Sequence, residues 1–362
     1  MTNNTIKSID ILTVIKVAGA FIALLIGSGF ATGQETLQFF SAYGLMGVFG
    51  SLITLILFVY LAHTFMKLGM ETGIVKNDDV FKYYLGQWVG TGLSWYTIVF
   101  IVLVFAIMLS GAGATLNQSY GIPPLIGSGI MAILATGTIL LGLNKLIDVV
   151  GIIGPLVILL TIFIAIAVIF KNPTGVVTGD SVVGSLEMYR ASSSWWKSSI
   201  LYVGLNVLGL ASFIPSLGQL LKNKNEVVSA SVLGPVLFVG ALVLVSLALL
   251  TDITTVNIAA IPILTLAASV SPIFKTIFSA VIFLGVYSSS TSILWTVVAR
   301  FSEEKTNKYT ILTLSLGVGG YLGGNILPFA KLVNIIYPTV GYAGSLVLIG
   351  IIIKDVRVRF FN

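Results

Sequence analysis

The residues in this chain that could do chemistry are few and concentrated. Glu35 ends the segment Gly27-Ser-Gly-Phe-Ala-Thr-Gly-Gln-Glu35, where three glycines, a serine and a threonine interrupt an apolar run. Glycine tolerates the dihedrals of an unwound turn and lets a solute approach the backbone. A carboxylate beside such a turn can carry a proton, bind an ammonium group or gate a vestibule. The second concentration is Ser288-Ser-Ser-Thr-Ser292, five consecutive hydroxyl residues inside an apolar run. Hydroxyl and carbonyl oxygens are what a hard alkali cation such as sodium accepts in place of water. Bonding back to helix carbonyls accounts for one or two such residues more easily than for five. A third, looser group is Gly204, Asn206, Gly209, Ser212 and Pro215.

Much chemistry is excluded. Cysteine is absent and His63 is the single histidine, so thiol nucleophiles, disulfides and two-histidine metal motifs cannot be built. No dense carboxylate cluster occurs, and the chain does not read as an enzyme. His63 and Lys67 lie one helical turn apart and read as an interfacial pair, as do Lys145 and Asp148. Asn117, Gln118 and Tyr120 suit either helix capping or the lining of an access path.

The elements that must hold these groups follow from composition. In 362 residues, 57% are hydrophobic and only 9% charged, and mean hydropathy is +1.06. An average soluble protein carries roughly 25% charged residues. Too little polar surface remains for a soluble fold, so the chain reads as an all-α polytopic membrane protein. Apolar runs long enough to cross a bilayer give ten spans if 253–274, interrupted by Pro262 and Pro272, does not cross. That count puts both termini inside, with fourteen of nineteen basic residues on the cytoplasmic side. The net charge of +6 is thereby explained without nucleic acid, and the plasma membrane is the expected location.

Ten spans divide into two halves within one domain, about 11–170 and 195–353, joined by an outer loop at about 171–194. An odd number per half makes the second enter from the opposite face, as in inverted-repeat secondary transporters. Such folds interrupt the first helix of each half at the midplane. Breaks are therefore predicted in span one, at 27–33, and in span six, around Asn206 and Gly209.

Gly27-Ser-Gly-Phe30 resembles the Gly-Ser-Gly-Ile signature of the amino acid-polyamine-organocation superfamily. The longer segment through Glu35 resembles the YkvI-type membrane proteins, grouped with amino acid permeases. The resemblance implies the fold of the sodium-coupled leucine transporter, ten helices in a five-plus-five inverted repeat working by alternating access. It also implies a sodium site formed by the carbonyls of Ala23, Ile26 and Gly285 with the hydroxyls of Ser288 and Ser289. A substrate carboxylate would rest on the amides of Gly27, Ser28 and Gly29, with Thr32, Asn206 and Gly209 completing the substrate site. Two positions depart from that pattern: Glu35 has no counterpart there, and span three lacks a mid-span tyrosine. The expected function is transport of a small zwitterion, an amino acid first, driven by sodium or, second, by protons, with no other cofactor. A non-transporting amino acid sensor of the same fold is the alternative.

Overall fold

The computed structural model describes residues 9–141 and 147–361, without the side chains of Ser28, Asn77, 147–155 and 358–361. The expected pairing of Lys145 with Asp148 lies outside the described residues. The described chain is helical throughout. A first run comes as three pieces, α1 (Ile11–Leu25), α2 (Ser28–Thr32) and α3 (Gln34–Phe39). Then follow α4 (Leu45–Thr72), α5 (Asn77–Leu85), α6 (Gln87–Tyr120), α7 (Pro124–Leu141), α8 (Ile147–Lys171) and α9 (Gly175–Val183). The second half comprises α10 (Trp195–Gly218), α11 (Lys224–Leu250), α12 (Ile253–Val256), α13 (Pro262–Val270), α14 (Pro272–Phe301), α15 (Asn307–Gly324) and α16 (Phe329–Phe361).

Seven of these, α4, α6, α7, α10, α11, α14 and α16, are long and apolar enough to cross a membrane. The end of α8 and α9 make an eighth if counted as one span, although a 95° bend separates them. At 1.5 Å per residue, neither α12 nor α13 can cross, so the segment interrupted by Pro262 and Pro272 stays on one side. Two packed groups result. In one, α4 and α11 pack against each other, with α10 on α4 and α1 on α11; in the other, α6 packs with α7, α14 and α15. The α16 helix runs along α10, and α8 bridges α11 and α14. On the surface, the Arg300 guanidinium reaches both carboxylate oxygens of Asp78 at 3.0 Å and pins α5 to the end of α14.

Aromatic rings lock the broken first run to its neighbours. Tyr202 of α10 lies 5.5 Å from the Phe39 ring, 5.0 Å from Phe40 and 6.1 Å from Phe58. Phe30 meets Phe238 at 5.4 Å, and Phe21 meets Phe58 edge-on at 6.2 Å. Such pairs contribute roughly 0.5–1.5 kcal/mol each beyond burial, so the short pieces α2 and α3 are positioned by packing rather than by helix propensity.

The prediction of a second break fails. The α10 helix is continuous from Trp195 to Gly218, through Asn206, Gly209 and even Pro215. The positive-φ glycines among the described residues are Gly33, Gly44, Gly73, Gly86 and Gly121, none of them in α10. The small and polar residues of α10 have other tasks. Asn206 Nδ2 and Ser212 Oγ donate to the carbonyls one turn back, at 2.8 and 2.7 Å, and so follow the helix ladder rather than replace it. Gly204 allows α16 to approach, since a Cβ there would come within 2.2 Å of the Gly341 carbonyl oxygen.

Close approach of this kind gives a stability prediction with opposite signs at two glycines. Gly344→Ala would put a Cβ 1.8 Å from the Gly204 carbonyl oxygen, whereas Gly240→Ala meets nothing within 4 Å. Helix propensity favours Ala over Gly by about 1 kcal/mol, while overpacking costs about 1–3 kcal/mol. In detergent melts, Gly344→Ala should lower the apparent Tm by several degrees and Gly240→Ala should hold or raise it. Equal behaviour of the two would remove the close-packed α10–α16 seam.

Candidate functional site

The site begins where the backbone of the first run leaves its helix. Ile26 (φ −88°, ψ 90°) and Gly27 (φ −99°, ψ −176°) are extended, and the Gly27 N–H donates to the Leu25 carbonyl at 3.2 Å. A helix that stops leaves its last carbonyls and the next helix's first amides without helical partners. A second joint follows at Gly33, whose φ of +83° is left-handed and whose Cβ would lie 2.6 Å from Ile263 Cγ1. Both the dihedral and the contact require glycine there. Thr32 serves this joint: its buried hydroxyl donates to the Gly29 carbonyl at 3.1 Å and accepts from the Gln34 N–H at 3.4 Å. Its side chain is spent on local geometry.

Beside the first joint lies a cavity of about 280 Å³ between α1, α6, α10 and α14. Gly27, Asn206 and Gly209, all named from sequence, line it together with Glu35. Gly29 lies against the Glu35 carboxyl without lining the cavity itself. The Glu35 residue is only 6% exposed, yet faces the cavity. Its neighbours are Tyr202 and Tyr337, which sequence reading passed over. The fully buried Tyr202 hydroxyl has no well-formed hydrogen bond, although it faces Glu35. Tyr337 follows Asn334 by three residues in the last apolar run, a polar pair on one helix face that could have flagged it.

A second and larger space opens further along α6. A vestibule of about 970 Å³ is lined by Asn117 of α6, by 257–260 and by 324–330. Along α6, the cavity is lined by residues from Thr97 to Met108 and the vestibule by Ser110, Ala114 and Asn117. Between them sits a ladder of side-chain amides. Gln34 donates to the carbonyls of Ala259 and Ala260 at 2.8 and 3.2 Å. Gln38 donates to Gln34 Oε1 at 2.8 Å and to the Ala330 carbonyl at 2.9 Å. Asn334 then donates to Gln38 Oε1 at 3.1 Å and to the Arg190 carbonyl at 3.0 Å. The spacing of four between Gln34 and Gln38 puts both amides on one helix face, a signal present in the sequence. Asn117 also caps its own helix end through the Ile122 carbonyl, 3.1 Å away, while Gln118 holds Ile261 by both amide and carbonyl.

The hydroxyl run on α14 resolves into two classes. Ser290 and Thr291 donate to the Tyr287 carbonyl at 3.1 and 2.7 Å, and Ser292 donates to that of Ser288 at 2.9 Å. The hydroxyls of Ser288 and Ser289 make no hydrogen bond among the described residues, although the Ser288 carbonyl accepts from Ser292. Their helix packs on α2 and α8, so the two uncommitted hydroxyls and Gly285 belong to the element that flanks the broken run. Ala23 and Ile26 lie at the end of α1 and in the joint. No group of three His, Cys, Asp or Glu able to hold a metal ion occurs among the described residues. His63 and Lys67 line a separate groove of about 200 Å³ with Tyr83, Lys354 and Asp355, and Lys67 is 4.0 Å from Glu71.

No protein-family model matches the chain. It is similar to the membrane protein YkvI of Bacillus subtilis (strain 168), with 25% identity over 339 residues, 92% of this chain and 94% of YkvI. A second protein of that strain, YyaD, is 23% identical over 214 residues, 59% of either chain. Among solved structures, that of MhsT in complex with L-phenylalanine matches with a TM-score of 0.58 at 15% identity, covering 93% of this chain and 87% of MhsT. At that identity the likeness shows the fold, an all-helical multi-pass membrane fold of the leucine-transporter type.

The amide ladder predicts an accessibility experiment. The chain has no cysteine, so Ser212→Cys places a single thiol in the cavity. An impermeant maleimide should label it from the side where α10 ends. Adding Gln38→Leu strands buried amide groups, a penalty of about 1–3 kcal/mol, and should speed labelling from the vestibule side roughly tenfold. Labelling from the vestibule side at full rate without that change would show that the ladder is no seal.

Proposed function

We propose that the chain is a secondary transporter of a small zwitterion, most simply an amino acid, working by alternating access with sodium as coupling ion and protons as the second choice. The observation that carries this reading is the broken turn at Ile26–Gly27 facing a cavity closed by the amide ladder at one end. Counting α1 to α3 as one interrupted span and α15 as another gives ten crossings in a five-plus-five arrangement. With the termini cytoplasmic, as the distribution of Lys and Arg favours, the cavity lies on the cytoplasmic side of the ladder and the arrangement is inward-facing. The L-phenylalanine bound to MhsT supports an amino acid as the first substrate to try. The Gly27, Ser28 and Gly29 amides would take its carboxylate. The carbonyls of Ala23, Ile26 and Gly285, with the free hydroxyls of Ser288 and Ser289, would take sodium.

One observation favours a second reading. The unbroken α10 lacks the second of the two discontinuous helices that typically form a transporter's midplane site, whereas a receptor has only to bind its ligand. Counterflow in proteoliposomes separates the two. A transporter exchanges external labelled L-phenylalanine against an internal pool, whereas a receptor shows binding with no exchange.

For the ion, the double substitution Ser288→Ala, Ser289→Ala should abolish sodium stimulation of uptake while leaving the protein in the membrane. Replacing Ser290 and Thr291, whose hydroxyls are committed to Tyr287, should matter much less. Sodium dependence that survives the first pair rejects the assignment.

A further inference from the structure

The Glu35 carboxyl is the one acidic group among the described residues that line the cavity, and none of the described Lys, Arg or His side chains forms an ion pair with it. The ion pairs among the described residues are Lys67–Glu71, Lys222–Asp10 and Arg300–Asp78, none of which involves the cavity. Room has been made for this carboxyl: a Cβ at Gly29 would lie 2.3 Å from Glu35 Oε2 and 3.0 Å from Tyr337 Cε2. An isolated carboxylate in a membrane interior is expensive and persists where something compensates it.

The other polar groups on the wall point to what does. Asn206 donates one N–H to the Tyr202 carbonyl and keeps its Oδ1 as an acceptor. Ser212 and Thr97 spend their hydroxyl hydrogens on the Leu208 and Leu93 carbonyls at 2.7 and 2.9 Å, leaving oxygen lone pairs. Around Glu35 the side chains are therefore weighted toward acceptors, with the second Asn206 N–H and the Tyr337 hydroxyl as the donors among them. A ligand that answers them must donate, and an ammonium group has three donors and no acceptor. The rest of the wall is apolar, with Leu24, Phe100, Val104, Met108 and Ile293. An alkali ion would need a closed shell of oxygens that these side chains cannot supply. At about 280 Å³ the cavity lies at the small end of ligand pockets, roughly 300–1,000 Å³, which suits one amine on a compact hydrocarbon body.

We infer that Glu35, with Asn206 Oδ1, forms an ammonium subsite, and that the cavity selects a primary amine with an apolar body, for which a carboxylate on the ligand is optional. This deepens the transport reading and rests on the same cavity. It separates from that reading because binding by cation can hold in a receptor, and transport can hold without Glu35.

Three probes sharing one hydrocarbon body test it by thermal stabilisation of the purified chain at fixed pH and salt: L-leucine, isoamylamine, which lacks the carboxylate, and 4-methylpentanoate, which lacks the amine. Leucine and isoamylamine should both raise the Tm and 4-methylpentanoate should not. Glu35→Gln should weaken binding of both amines at least tenfold, and Glu35→Asp, which keeps the charge, should restore part of it. Each variant's Tm without probe reports whether it has folded. The subsite is overturned if 4-methylpentanoate stabilises as well as leucine, or if no probe stabilises. It is equally overturned if folded Glu35→Gln binds leucine like the unaltered chain and changes only the pH dependence of uptake, since Glu35 is then a proton carrier. Stabilisation by both amines together with absent counterflow would leave the subsite standing and remove transport.

Discussion

A hydrogen-bond ladder interrupted inside a bilayer must be covered by protein or turned toward a cavity, because lipid offers its amides and carbonyls nothing. Most of this structure can be understood as the consequence of one such interruption, at Ile26–Gly27. The short pieces α2 and α3 are too brief to hold themselves as helices. They are held by Phe30 against Phe238 and by Phe39 and Phe40 against Tyr202. The same packing sets the Tyr202 hydroxyl beside Glu35. A carboxyl that would otherwise be driven to water is thus kept at the edge of the cavity.

The two halves of the chain treat small residues differently. In the first half, Gly33 is used for its left-handed dihedral and Gly29 for the space that a carboxyl occupies. In α10, Gly204 is used for close approach to α16, while Gly209 leaves open space on the cavity wall. Identical residue types therefore produce a break in one helix and a packed seam in the other. The local hydrogen bonds differ accordingly: Asn206 and Ser212 donate to the α10 carbonyls one turn back, whereas Thr32 accepts from the Gln34 N–H at a joint that has already left the helix.

The closure at the vestibule is built from neutral amides. Each hydrogen bond of Gln34, Gln38 and Asn334 contributes only about 0.5–1.5 kcal/mol net. A gate of that kind costs little to open, provided water or another partner replaces the bonds as it moves. An ion pair buried at the same depth would be far harder to part. Gln34 and Gln38 sit on α3, directly beyond the left-handed Gly33, so a change at the joint would reach the gate through one short rigid element.

Membrane residence and the exclusion of thiol chemistry and two-histidine metal motifs needed only the amino-acid sequence read along one dimension, because residue counts and apolar run length require no contact between distant segments. The non-crossing segment around Pro262 and Pro272 and the joint at 27–33 were legible for a similar reason: proline and clustered glycine act on the backbone at their own positions. The fate of Gly204, Asn206 and Gly209 was not, since whether a small residue marks a break or a contact depends on what the neighbouring helix presents, here the Gly341 carbonyl. Nor could the five hydroxyls of α14 be sorted into committed and free from their order alone. Which residues surround Glu35 was settled by folding, because Gly29, Tyr202 and Tyr337 come from α2, α10 and α16, and only helix packing brings them within reach of one carboxyl.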